Sequence, residues 1–157
     1  MEENKQGASK SPTGAIAQLE EFLNEYLVKK APFAIPAGGK EFIVKIAPYL
    51  IIIFAILAIP AILVGLGLTA IFAPFAFFAG SFGTGFFLSA VFSLVAFIIE
   101  LMAVPGLFAR SKKGWNFAFY ASLASLVGSL LAFNIVGGII GAIIGWYILF
   151  QVKELYK

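Results

Sequence analysis

Residues 46–99 read IAPYLIIIFAILAIPAILVGLGLTAIFAPFAFFAGSFGTGFFLSAVFSLVAFII, without one charged side chain. As one helix this run would be about 80 Å long, against a bilayer hydrocarbon core of roughly 30 Å. It must therefore fold back at least once. The reversal is expected in APFAFFAGSFGTG, where Pro74, Gly80, Gly83 and Gly85 are turn formers. Two helices are predicted, over 46–70 and 85–104. Pro60 falls inside the first and should kink it, which membrane helices accept where neighbours re-satisfy the freed backbone.

A second uncharged run extends from Gly114 to Val152. With a tight turn at Asn134 and Gly137–Gly138 it fits two shorter spans, over 115–133 and 136–152. Asn134 is expected to cap that hairpin, and Gln151 to snorkel toward the headgroups. The fold class expected is an all-α polytopic integral membrane protein. It has four transmembrane helices in two hairpins, preceded by a cytosolic or interfacial amphipathic helix.

Composition agrees. The chain is 61% hydrophobic and 12% charged. Soluble domains run roughly 45–50% apolar and about 25% charged. The mean hydropathy is +0.99.

The charges set a topology. Lys40 and Lys45 precede the first span, Arg110, Lys112 and Lys113 separate the second from the third, and Lys153 follows the fourth. Four spans put all of these on one side; three would scatter them. The positive-inside rule makes that side cytoplasmic, with both termini there, and lets the same cations touch lipid headgroups. The localisation expected is the cell membrane. Trp115, Trp146, Tyr147 and Tyr156 lie toward predicted span ends, as interfacial aromatics do.

Residues 1–11 are polar and expected to be disordered. Residues 12–30 form an amphipathic helix: Ser11–Pro12 is a start signal, and Ile16, Leu19, Leu23 and Leu27 follow at helical spacing. This helix either docks on the bundle or the interface, or receives a partner protein; its acidic polar face argues against simple lipid adsorption. Residues 31–41 read as a linker and 42–157 as the membrane domain. Everything before Phe42 is too polar for a secretory h-region, so the first hydrophobic segment reads as an uncleaved anchor.

Small residues recur every fourth position. Gly137, Gly141 and Gly145 make one stripe on the last span, widened by Gly138 and Ala142. Ala121, Ser125 and Ser129, with Gly128 beside them, match it on the third. Lipid tails are as apolar as leucine, so membrane helices associate through close van der Waals contact that small residues permit. The expected contact is chiefly span four on span three within the chain, or else with a second copy or a partner helix.

Glu100 stands alone between AFII and LMAVPGLFA. An intramembrane acid is a default functional candidate, here for proton or cation coupling. Asn116, Tyr120 and Ser122 are its candidate hydrogen-bond partners. Alternatively, Pro105–Gly106 ends the helix early and leaves Glu100 at headgroup depth beside the basic loop.

The chain has no cysteine, histidine or aspartate. Disulfides, thiol or imidazole catalysis and most protein-ligated transition metals are excluded. No phosphate loop or paired nucleophile is present, so neither an enzyme nor a cofactor is expected, and the loop RSKKG reads as lipid-facing rather than nucleic-acid-binding. The function expected is a non-enzymatic structural, assembly or accessory role in the bilayer, through helix-to-helix contacts with a homo-oligomer or membrane-protein partner. The alternative is a small oligomeric transporter or channel using Glu100.

Overall fold

Among the described residues five α-helices follow one another. α1 spans Pro12–Asn24 and widens into a π turn over Glu25–Lys29. α2 spans Ala37–Ala76, α3 Gly80–Phe108, α4 Lys112–Leu131 and α5 Ile135–Gln151, and a short 3-10 turn, Lys153–Leu155, follows. This computed structural model describes residues 12–157 except 77 and 79, and the side chains in that range except those of Pro12, Thr13, Thr69, Ala76, Ser81 and Phe82. The polar tail 1–11, with the Ser11 cap, and the Thr69 side chain lie outside the described residues.

α2 is longer than its apolar run. It takes in the end of the expected linker, because the Lys40 amide bonds to the Pro36 carbonyl (3.0 Å) and starts the helix there. Its 40 residues make about 60 Å of helix, and it stays helical through Pro48, Pro60 and Pro74. The reversal after it falls inside the expected segment. α3 likewise passes through Pro105 to Phe108. The early helix end at Pro105–Gly106 is therefore not what forms, and Glu100 sits about 12 Å of helix short of Phe108.

Among the described residues two helices are long and apolar enough to cross a membrane, Ala37–Phe75 and Gly83–Phe108; Ile135–Gln151 is a shorter apolar helix. Only 6% of the most apolar stretch of the first is buried against protein, and 17% of that of the second. The core helix of a water-soluble fold would be mostly buried.

Consecutive helices are neighbours, α2 on α3, α3 on α4 and α4 on α5, while α1 and its π turn pack on α5. The core gathers at one end. There Leu23 of α1, Val44 of α2, Ala103 and Leu107 of α3, Trp115 and Phe119 of α4 and Phe150 of α5 close on one another, with Val152 and Tyr156 beyond α5. Trp115, fully buried, stacks on Phe119 at 5.6 Å and meets Phe150 edge-on at 5.2 Å. Toward the other end the helices expose Phe72, Phe75, Phe86, Val136 and Ile140.

The tightest backbone approach is between α3 and α4, whereas the glycine stripe points to α4 and α5. A Cβ on Gly106 would lie 2.5 Å from the Gly114 Cα. One on Gly85 would lie 2.8 Å from the Leu131 carbonyl oxygen. One on Gly128 would touch Phe92, Ser89 and Ser93 at 3.4 Å, so Gly128 serves the α3 contact. The turn between α3 and α4 is a Schellman closure: the Ser111 amide bonds to the Gly106 carbonyl (2.8 Å) and the Arg110 amide to that of Leu107 (3.1 Å). Arg110 occupies the left-handed position at φ 49°. Glycine is the usual residue there, and a side chain costs about 1–2 kcal/mol.

Gly114→Ala is expected to destabilise the protein by about 1–3 kcal/mol through overpacking. In the single chain, Gly141→Ala and Gly145→Ala, at positions where a Cβ meets nothing within 4 Å among the described residues, should stay within about 0.5 kcal/mol of the parent. Thermal unfolding of the chain in a detergent that keeps it monomeric, followed by tryptophan fluorescence, measures all three.

Candidate functional site

The packed end is held by polar groups that the apolar pattern does not announce. Gln151 is 1% exposed. Its Nε2 donates to the Leu27 carbonyl of the π turn (2.9 Å), and its Oε1 accepts from the Ile35 amide (3.3 Å). One side chain thus satisfies two backbone groups and ties the linker and α1 to α5. It does not snorkel; buried amides need partners, and here both are backbone. Lys153 bonds Glu20 of α1 at 2.5 Å and stands over the Trp115 ring at 4.8 Å. Tyr147 donates to the Phe33 carbonyl (2.5 Å). The amphipathic helix is docked on the bundle.

The same end collects the basic segments. Arg110 grips Glu41 through both terminal nitrogens (3.1 and 2.7 Å), and Lys40 pairs with Glu154 (2.6 Å). Lys157 exchanges backbone bonds with the α3–α4 turn, accepting from Lys112 (2.8 Å) and donating to Arg110 (2.9 Å). Burial pushes the Tyr156 phenol above its ordinary value, and the Arg110 guanidinium pulls it back. Lys40, Arg110 and Lys153 are thus engaged by acids of the chain itself, while Lys45, Lys112 and Lys113 have no ion-pair partner among the described residues.

The two tryptophans turn into the fold rather than out from it. Trp115 donates from Nε1 to the Leu149 carbonyl, and Trp146, 9% exposed, donates to the Ser122 hydroxyl, both at 2.8 Å. The Ser122 hydroxyl in turn donates a hydrogen bond to the Phe119 carbonyl (2.6 Å). This chain of bonds joins α5 to α4 halfway along the bundle. Sequence position marks Ser122 only as a neighbour for Glu100.

Two clefts flank the α4 serines. The first, about 390 Å³, lies between α2, α3 and α4. Ser93 and Glu100 of α3, Ala121, Ser122 and Ser125 of α4 and Ile62 of α2 line it. Among the described residues the Glu100 carboxylate makes no hydrogen bond or ion pair. Asn116 and Tyr120, its other candidate partners, do not line the cleft. The second cleft, about 270 Å³, separates α4 from α5 and is lined by Ser125, Ser129, Gly137, Gly138, Gly141, Ala142 and Gly145. Of the glycine stripe only Gly138 packs closely on α4, where a Cβ would lie 2.7 Å from that of Ser129. Gly137 is occupied locally, its Cβ position 2.5 Å from the Asn134 Oδ1. Asn134 stands at the start of α5 but makes no side-chain capping bond. The close packing expected along this seam is confined to its start.

Among the described residues no cluster of three metal-ligating side chains exists. Sequence reasoning misses Gly114 here and gives Gly106 and Gln151 other roles, a helix end and a snorkelling side chain. The two glycines face each other across a turn, a relation that no single-helix periodicity detects.

Replacing Gln151 with Leu should leave the Ile35 amide and Leu27 carbonyl unpaired at about 1–3 kcal/mol each and loosen α1. Limited trypsin digestion should then cut faster after Lys29 and Lys30, with helix content over 37–151 preserved. Comparison of the chain with protein-family models, with curated proteins and with solved structures finds no match.

Proposed function

We propose that this chain is a four-span membrane protein, α2 to α5 crossing the bilayer with both termini on the cytoplasmic side, and that its role is non-enzymatic: assembly with another membrane helix. The observation that carries this reading is the open α4–α5 groove, whose Gly141 and Gly145 meet nothing within 4 Å among the described residues. A small-residue face costs helix propensity and is worth having only where a backbone comes close. Among the described residues none does there. The occupant is a transmembrane helix from a second copy or another membrane protein, and the mass of the complex tells them apart.

The four-span topology draws support from the gathering of Lys40, Arg110 and Lys153 at one end by direct contact. α4 and α5, with 20 and 17 residues, fall within the roughly 17–25 residues that a span takes, α5 at its lower limit.

A second reading has one observation in its favour. Because α3 continues through Pro105, Glu100, without a partner among the described residues, stays within the apolar part of the helix, in a cleft with three serines. That is the position of a coupling acid in a transporter.

Extraction in mild detergent should give a complex heavier than one chain, and Gly141→Leu with Gly145→Leu should reduce it to the monomer. A parent protein that is already monomeric and alone overturns the assembly role. If Glu100→Gln abolishes proton-driven uptake by vesicles while the complex stays intact, the transport reading replaces it. Topology is checked separately. The chain lacks cysteine, so Lys113→Cys should react with an impermeant maleimide from the cytoplasmic face and Thr84→Cys should not.

A further inference from the structure

A third cleft, about 190 Å³, opens at the base of α2 and α3, walled by Val44, Lys45, Pro48 and Tyr49 on one side and Leu107, Phe108 and Arg110 on the other. We propose that it seats the phosphate-bearing headgroup of an anionic phospholipid, with Lys45 and Arg110 as its cationic contacts. This rests on the membrane reading above and adds a ligand to it.

Four observations converge. Both charged groups lining the cleft are cations, and among the described residues no acid lines it. Lys45 has no ion-pair partner among the described residues, and it is the last charged residue before the uncharged run begins at Ile46. That is the depth of a headgroup. Arg110 faces Glu41 with one N–H from each terminal nitrogen, which leaves three of its five donors for a phosphate and holds the guanidinium in place. Finally, Arg110 keeps a left-handed backbone that glycine would adopt without strain. Strain retained at one residue points to a use for its side chain.

The walls select a lipid over a free anion. Tyr49 and Phe108 meet edge-on at 4.9 Å and form an apolar rim with Leu107 and Pro48. One turn farther along α2 on the Tyr49 face is Ile53, and two turns back along α3 on the Phe108 face is Leu101, both exposed. Acyl chains would lie on those side chains while the phosphate meets Lys45 and the Tyr49 hydroxyl. Basic pockets between membrane helices take lipid headgroups in this manner.

The test uses the full chain reconstituted in phosphatidylcholine vesicles carrying a trace of spin-labelled phosphatidylglycerol or, in parallel, spin-labelled phosphatidylcholine. The parent should immobilise the anionic label severalfold more than the neutral one. Lys45→Gln and Arg110→Gly should each lower that preference by about fivefold or to parity, one surface cation being worth about that factor. Arg110→Gly also relieves the turn, so a loss of binding in a protein at least as heat-stable as the parent separates ligation from folding. Lys29→Gln, away from the cleft, should change nothing. Equal immobilisation of both labels by the parent overturns the site and leaves the membrane reading standing; no immobilised lipid of either kind overturns both. Preference that survives Lys45→Gln and Arg110→Gly but disappears in Lys112→Gln with Lys113→Gln assigns it to the loop and overturns the cleft. Displacement of the label by inorganic phosphate would assign the cleft to the free ion, against the proposal.

Discussion

The crossing of Gly106 over Gly114 is the contact on which the other helices depend. No side chain fits between these two backbones, so α3 and α4 leave the turn in direct backbone contact. The Schellman closure and the Ser111 hydroxyl, which accepts from the Gly114 amide at 3.2 Å and donates to the Gly106 carbonyl at 3.1 Å, lock that spacing. With α4 fixed, Trp115 and Phe119 face the centre, and their rings receive Phe150 and Trp146 of α5. α5 in turn brings Gln151 to the place where it binds the linker and the π turn of α1. Each step is positioned by the one before.

Past this packed end the bundle loosens, and on the membrane reading the reason lies in the solvent. In water, each Å² of apolar surface left exposed forgoes about 25 cal/mol, and α2 alone presents Phe54, Leu57, Leu63, Ile71 and Phe75. Water would close such helices on one another. Hydrocarbon supplies no such force, so only groups that bond or interlock draw membrane helices together. The described contacts follow that rule. α4 meets α5 through the Trp146–Ser122 bond and the Gly138–Ser129 contact, and beyond these the clefts stay open. In such a setting the open glycine groove and the Glu100 cleft are faces whose occupants are lipid or another helix.

The helices and the first reversal are legible in the sequence because apolar run length and turn residues act locally. Helix ends are less so: α2 begins well before its apolar run, since helix initiation at Pro36 obeys backbone bonding rather than hydropathy. The faces are not legible. Small residues announce that close approach is possible without saying to whom, and so Gly128 packs on α3 and Ala121 lines the α3 side, while Ser125 and Ser129 border α5. Trp115 and Trp146 fit an interfacial pattern by position, but that pattern does not say which way a ring faces, and their indole N–H groups find acceptors inside the fold. Gln151 misleads for the same reason. A polar residue near a span end goes to solvent only if nothing within the fold needs its two hydrogen-bonding groups.

The cations complete the division of labour. Lys30, Lys40, Arg110 and Lys153 each bond an acid of the chain, and three of those pairs join segments distant in sequence, α2 to the C-terminal turn, α2 to the α3–α4 turn, and α1 to the end of α5. Exposed pairs contribute little stability singly, yet these fix which segments lie together, and the buried bonds of Gln151 reinforce the same choice. Lys45, Lys112 and Lys113 have no such acid beside them among the described residues. On the proposed topology this is the cytoplasmic face, where unpaired cations face anionic headgroups and resist transfer across the bilayer. Charge at this end therefore does two kinds of work. The paired residues set the geometry of the base, and on that topology the unpaired ones would hold the base against its own side of the membrane.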